Sequence, residues 1–397
     1  MRVHKNVGVG NTKSMGRETL RRILIVGLCL TAAGCASASA SQGVHGSPHR
    51  KFKIALSMSY VGNDWQIEAK NLVSAEAATP PYNHEVSLHT YVAGATGAGG
   101  ADVNSQIEQI QQMIASGYDA IITFPISPTA LDPVIKQACD RGVVVIAYDG
   151  AVTEPCAYNV HINQFAAGKF TAQWLAHTLH GKGNIVEANG VSGTSVDTLR
   201  RAGAASVFKK YPGIHIIAQF AGNWDQADTQ QGMARVLGAD QNIQGVWGQV
   251  GFGILQAYRA VGRKFVPTVG ESENGFRDAM YSHQVKGISY GSPPYTGAYA
   301  LKEAVAILQG HKMPKLMQVP LPLNTANQLK QCTDVATGCN TFPGSKAPST
   351  GFFDDFYEKD LAPELCLSAA VSGTPCPGKT ATPPTGKSYS SSATSRA

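Results

Sequence analysis

Apolar residues fall into two alternating kinds of run along the chain, and that alternation predicts the fold. The short kind is continuous: Lys53-Ile54-Ala55-Leu56-Ser57-Met58, Asp119-Ala120-Ile121-Ile122-Thr123-Phe124 and Val143-Val144-Val145-Ile146-Ala147-Tyr148. Runs this short and uninterrupted are those of strands buried on both faces. The longer kind has helical spacing. Residues 65–78 stop at Pro80 and Pro81, and 102–116 set Val103, Ile107, Ile110 and Ile114 on one face ahead of Gly117. Residues 85–92 alternate as a further strand, 94–100 form a glycine-rich loop, and 128–140 form a helix ended by Gly142. The rhythm restarts after Asn163. Helices are predicted over 166–179, 197–210, 226–237 and 254–261, and strands over 184–188, 214–220, 245–249, 266–269 and 285–290. Strand after helix after strand is the rhythm of a parallel sheet covered on both faces. Two blocks of similar size predict two similar lobes. Residues 331–377 break the pattern with four cysteines and several prolines and glycines, and predict a disulfide-stapled extension. Residues 378–397, rich in Thr, Ser, Pro and Lys, predict a disordered tail.

Composition changes the picture mainly at the N-terminus. The chain has 397 residues, 43% hydrophobic and 15% charged, which is globular and too long for one simple core. The net charge of +6 is concentrated: residues 1–34 hold six basic residues and one acid, which leaves 27 basic and 26 acidic residues elsewhere. The remainder carries no electrostatic footprint for nucleic acid. Arg17, Arg21 and Arg22 precede an apolar run over 23–30 and then Thr31-Ala32-Ala33-Gly34-Cys35. A positive start, a short apolar run and small residues describe a secretory signal over 1–34, and the run is too short to span a bilayer. Ala32-Ala33-Gly34-Cys35 also resembles a bacterial lipobox. That resemblance implies a lipidated Cys35 as the first mature residue, a membrane anchor, and a location in the periplasm or on the outer face of the cytoplasmic membrane. Residues 35–51 then read as a tether rich in Ser, Gly and Ala.

Six cysteines remain once Cys29 and Cys35 are set aside: Cys139, Cys156, Cys332, Cys339, Cys366 and Cys376. An even number in an exported chain predicts disulfides. Cys332 with Cys339 and Cys366 with Cys376 make short local loops, and Cys139 with Cys156 is the remaining pair, although six cysteines allow fifteen pairings. No Cys-x-x-Cys or clustered Cys/His spacing favours a metal site, and no cofactor is expected.

Several strings resemble the ribose-type, or type I, periplasmic binding proteins of ABC transporters. Gly117-Tyr118-Asp119-Ala120-Ile121-Ile122, Pro125 and Pro128-Thr129-Ala130-Leu131 are similar to the family's third strand and following helix. Gly142-Val143-Val144-Val145-Ile146 with Asp149 is similar to its fourth strand. Gly193-Thr194-Ser195 with Arg200, and Asn223-Trp224-Asp225, are similar to elements of its second lobe. The resemblance covers residues 52–310. It implies an α/β fold of two Rossmann-like lobes with parallel sheets joined by a multi-segment hinge. Crossings fall near 161–163, 291–293 and 321–324, with a helix over 295–309 on the first lobe. The first lobe is then 52–162 plus 292–322 and the second 163–291 plus 323–330. The implied function is delivery of a sugar or sugar-like solute, a monosaccharide or polyol, by a monomer to ABC permease subunits through cleft closure. The alternative is a sensory receptor that shows its closed surface to a signalling partner.

Ligands of open parallel sheets sit beyond the carboxyl ends of the strands. That rule selects Ser59, Tyr60, Asn63, Asp64 and Trp65 after the first strand, Phe124 after the third, and Tyr148 and Asp149 after the fourth. In the second half it selects Asn189, Trp224, Gln249, Glu271, Ser272 and Glu273. Aromatic rings stack on the C–H faces of sugars, while carboxylates, amides and arginine bind hydroxyls. The resemblance places Asn63, Trp65, Asp149, Arg200 and Trp224 at family ligand positions. Phe124, Val250, Ser272 and Gly291 stand where sugar binders of the family carry polar or charged groups. This points away from ribose, toward another sugar, a polyol or a less polar solute. Enzyme signals are weak. No His-Glu-x-x-His occurs, and Gly251-Phe252-Gly253 lacks the third glycine of a dinucleotide fingerprint. Glu271 and Glu273, two residues apart, fit hydroxyl or cation binding better than acid–base work.

Overall fold

The computed structural model describes residues 50–94, 102–239, 242–332 and 339–389, all within one unit running from His49. The signal, Cys35, the tether up to residue 49, most of the 94–100 loop and residues 390–397 lie outside the described residues. β1 (Phe52–Met58) leads into α1 (Asp64–Ala78), whose first turn is capped by Asn63 accepting the Gln66 amide. A short α2 (Tyr82–Glu85) precedes β2 (Val86–Val92). α3 (Val103–Ala115) is capped by Asp102, which accepts from the amides of Asn104 and Ser105. β3 (Ala120–Phe124) is buried at every position, as expected of a strand covered on both faces. α4 (Asp132–Asp140) begins later than its apolar spacing predicts, because Ser127 Oγ accepts the Ala130 amide in a local turn. β4 (Val144–Tyr148) and β5 (Tyr158–His161) follow.

The second half repeats the plan. Its elements are α5 (Gln164–Thr178), β6 (Lys182–Asn189), α6 (Ser195–Phe208), β7 (Gly213–Ala221), α7 (Gln226–Ala239), β8 (Gly245–Gly248), α8 (Gly251–Ala260), β9 (Thr268–Glu271), α9 (Asn274–Tyr281) and β10 (Gly287–Tyr290). α5 and α6 pack at very short range. A Cβ on Gly168 would lie 1.9 Å from the Arg200 carbonyl oxygen, so only glycine permits the approach that seats Arg200. The chain then returns to the first half as α10 (Tyr295–Leu308) and β11 (Leu316–Gln318), and to the second as β12 (Leu323–Thr325). Two six-stranded sheets result, in the orders β11-β5-β4-β3-β1-β2 and β12-β10-β9-β8-β6-β7. All pairings are parallel except that of β12 with β10. This is a two-lobed α/β fold with three crossings, after β5, β10 and β11. The crossings hold one another: the Val319 amide donates to the His161 carbonyl (3.1 Å) and the Gly291 amide to that of Pro322 (2.9 Å).

All three expected disulfides are present: Cys139–Cys156, Cys332–Cys339 and Cys366–Cys376. The extension beyond residue 339 lies along both lobes. Near Cys339, Asn340 accepts from Arg277 on α9, and Asn274 and Gly275 donate to the carbonyls of Phe352 and Thr350. Farther on, α11 (Leu367–Ser372) packs on α1, where Asn71 donates to Ala370 and Val371. This covering explains why residues 295–306 of α10 are all buried, including a lysine and a glutamate. Lys302 Nζ donates to Glu364 Oε1 (2.7 Å), the Leu361 carbonyl (2.8 Å) and Thr382 Oγ1 (3.1 Å). The expected disordered tail is corrected in part. Residues 378–389 follow the first lobe, with the Ala381 amide on the Pro80 carbonyl (2.7 Å) and that of Tyr389 on Gln318 (2.7 Å). A buried lysine needs oxygen partners, and Thr382 in this segment supplies one.

Candidate functional site

The carboxyl ends of the two sheets face each other across a cleft, and a narrow inner cavity lies there. Tyr60, Asn63, Trp65, Phe124, Asp149, Arg200, Trp224 and Glu271 line it, all selected from the sequence. Gln66, Val196, Ser292 and Phe353 also line it and were not selected. Aromatic rings form its first-lobe wall. Trp65 stacks on Tyr148 (6.3 Å between centroids, 14° between planes), and Phe124 lies 5.7 Å from Trp65 and 6.0 Å from Tyr60. The Trp65 indole is fixed by donating to the Ser292 carbonyl at 2.6 Å.

Two opposite charges meet at the floor. Asp149, at the end of β4 with φ of 57°, accepts on Oδ1 from Ser292 Oγ (2.5 Å) and Gln164 Nε2 (3.2 Å). Burial raises its pKa, against the pull of Arg200 and the Ser292 bond. Arg200, on α6, donates through Nε to Gln164 Oε1 (2.8 Å) and through Nη1 to Gln249 Oε1 (3.1 Å), and pairs with Glu271 Oε1 (2.7 Å). Its guanidinium carbon lies 5.0 Å from the Tyr290 ring centre and 6.0 Å from that of Trp224. Burial opposes its charge, but Glu271 and Asp149 hold it protonated. Burial likewise pushes Glu271 up, to about 7, against the attraction of Arg200. Gln164 therefore links a carboxylate of one lobe to a guanidinium of the other.

The remaining selected residues take other places. Gln249 is fully buried and supports the site: it accepts from Trp224 Nε1 (2.8 Å) and donates to Asp197 Oδ1 (2.8 Å). Ser59 is buried behind the lining with an unbonded hydroxyl. Glu273 lines a second, wider outer cavity instead, where burial pushes it to about 8 although the Phe252 amide donates to it. Asn63, Trp224, Glu271 and Phe353 line both cavities and so divide them. Asn63 Nδ2 donates to the Trp224 carbonyl (3.1 Å), which joins the lips of the lobes. Ser59 Oγ, Tyr60 OH, Asn189 Oδ1, Ser272 Oγ and Tyr290 OH are buried without hydrogen-bond partners, all near the carboxyl ends of strands. Of these, Tyr60 lines the inner cavity, where a polar solute can reach its hydroxyl.

Ser292 and Gln164 follow directly on crossings that the resemblance locates, and crossing segments floor a cleft. That signal was available. Phe353 had none, because it comes from the extension beyond the region of resemblance.

Two strings match enzyme motifs by letters. Gly287-Ile288-Ser289-Tyr290-Gly291 has the spacing of a nucleophile elbow. Ser289, however, is buried within β10, where it accepts from Arg277 Nε (3.1 Å). Gly373-Thr374-Pro375-Cys376-Pro377-Gly378-Lys379-Thr380 has the spacing of a phosphate loop. It follows a helix rather than a strand, opens no helix, and has Cys376 in a disulfide. Among the described residues no group of three or more His, Cys, Asp or Glu is placed to hold a metal ion.

The sequence pattern of a family described as a periplasmic binding protein domain matches residues 54–312. A xylitol-binding protein of Mycolicibacterium smegmatis is 33% identical over 211 residues, 52% of this chain and 60% of that protein. The chain thus spans less than two thirds of that relative. A D-ribose/D-allose-binding protein of Pseudomonas aeruginosa is 24% identical over 328 residues, 79% of this chain and 100% of that protein. An ABC transporter solute-binding protein of Thermobispora bispora superposes with a TM-score of 0.65 at 24% identity, covering 84% of this chain and 99% of that one, which is a likeness of fold.

Proposed function

The chain belongs to the family of the periplasmic binding protein domain, and from that premise we propose that it is an extracytoplasmic solute-binding protein for an ABC importer. It captures a small polyol or sugar between its lobes and offers the closed form to the permease. The observation that carries this reading is the inner cavity, where aromatic walls enclose the carboxylate of Asp149 from one lobe and the paired Arg200 and Glu271 from the other. The rings take C–H faces of the solute. Asp149 is bonded only through Oδ1, so Oδ2 accepts a solute hydroxyl, and Arg200 Nη2, outside its other bonds, donates to another oxygen. The inner cavity is the narrower of the two, which favours a five- or six-carbon solute over a longer one. The polyol and sugars named for the relatives belong to that class. Each lobe offers half a site, so the solute favours the closed form by its differential affinity. The protein acts by binding, without turnover, as a monomer held at the membrane through lipid on Cys35.

The test is a thermal-shift and calorimetric screen of the full chain with xylitol, D-ribose and D-allose. A ligand at 100 times its Kd stabilises by about 2.7 kcal/mol. The reading expects such a shift with at least one of them, abolished by Trp65→Ala and by Asp149→Ala. No shift with any sugar or polyol would overturn the substrate class. Membrane retention of a processed Cys35→Ala chain would overturn the anchor.

A further inference from the structure

The partition between the inner and outer cavities contains one residue from outside the two lobes. Asn63, Trp224 and Glu271 come from elements of the lobes, whereas Phe353 comes from the C-terminal extension. Its place is fixed from both sides. Its amide donates to Glu68 Oε1 on α1 at 2.7 Å, and its backbone forms an antiparallel bridge with Glu273. On either side of it, the Asn274 amide donates to the Phe352 carbonyl (2.7 Å) and the Asp354 amide to that of Ser272 (3.2 Å). Asp355 takes a two-pronged pair from Arg277, at 3.0 and 2.9 Å. Ser349 Oγ donates to Asp64 Oδ2 on the first lobe at 2.9 Å. Disulfides brace the extension at Cys332–Cys339 and at Cys366–Cys376. The ring, 7% exposed, packs in the main hydrophobic core with the aromatic residues of the site and lies between the two cavities.

We propose that Phe353 is a solute-contacting, size-selecting residue. Its ring closes the inner cavity over the bound polyol or sugar and separates it from the outer cavity. A solute longer than the inner cavity cannot bind without displacing the ring. The proposal rests on the sugar-binding reading for its ligand class, and adds which residue limits the length of that ligand.

The experiment compares the parent with Phe353→Ala and Phe353→Leu in the full chain. Calorimetry uses xylitol and maltitol, a disaccharide polyol too long for the inner cavity. The Ala variant should bind xylitol about tenfold more weakly, and the maltitol-to-xylitol affinity ratio should rise about tenfold. The Leu variant, which keeps the region packed, should fall between. An unchanged ratio in both variants would overturn the proposal. Ligand-free acrylamide quenching of tryptophan fluorescence gives a second reading. Opening the partition should expose Trp65 and Trp224 and raise the quenched fraction in the Ala variant. Equal quenching in parent and variant also overturns the proposal. If the parent binds neither polyol nor the sugars screened above, the ligand class fails. The quenching comparison then still decides whether Phe353 closes the cavity.

Discussion

Arg200 is the residue on which both lobes converge, and its surroundings set two expectations. It is 1% exposed and shares its environment with Glu271 and, through Gln164, with Asp149. Replacing it leaves buried carboxylates without their cation. Arg200→Met should therefore cost about 3–5 kcal/mol of stability in denaturant unfolding as well as ligand binding, and adding Glu271→Gln should restore part of the stability. Glu303 on α10 is buried with neither oxygen bonded, and burial pushes it from the usual 4.5 to about 8. A carboxyl raised on folding contributes fully below about pH 4.5 and loses that contribution as pH climbs through about 8. Glu303→Gln should be near neutral at about pH 5 and stabilising by about 1–3 kcal/mol at pH 8, read from melting temperature against pH. At this scale the sequence was informative wherever a strand end could be recognised. Tyr60, Asn63, Trp65, Phe124 and Asp149 follow from that rule, and Arg200 only from the resemblance. Gln164 escaped although it follows directly on the first crossing, because one polar residue at a helix start has no periodic signal of its own. What singles it out is contact with two charges from distant parts of the chain.

Elements were legible where burial gave them an apolar run or a helical spacing. Buried strands announce themselves even at four residues, as β8, β9 and β10 do, and so do helices of three turns, while β5, β11 and β12 are only partly buried and show neither an apolar run nor a period. They form because neighbouring strands offer unpaired edges, which is a tertiary cause. The extension was recognisable by its cysteines, but its course was not. Its partners are Asp64 and Glu68 on one lobe and Ser272, Asn274 and Arg277 on the other, hundreds or tens of positions away. The two disulfides close loops with separations of 7 and 10 residues. In the chain-entropy view each contributes about 2–3 kcal/mol, so a Cys366→Ser/Cys376→Ser variant should show a loss of that size in denaturant unfolding.

For the whole molecule, the lobe plan was readable because two blocks of alternating runs repeat. The hinge was readable only through resemblance, since crossing segments have no pattern of their own. At Gly291 the crossing is tight: a Cβ there would lie 2.2 Å from Asp355 Oδ2 and 2.8 Å from Pro322 Cγ. Gly291→Ala should push the extension off Arg277 and lower solute affinity, a change calorimetry would register.

The extension's attachment to both lobes also bears on how fast solute exchanges. Rotation about three crossings cannot open the cleft while Ser349 stays on Asp64 and Asp355 stays on Arg277. One set of bonds must break before solute enters or leaves. Entry and exit then share one barrier, and weakening the strap lowers it for both directions. Ser349→Ala should accelerate association and dissociation together in stopped-flow tryptophan fluorescence while leaving Kd nearly constant. The strap would act as a timer on residence, so that a captured solute outlasts the search for a permease.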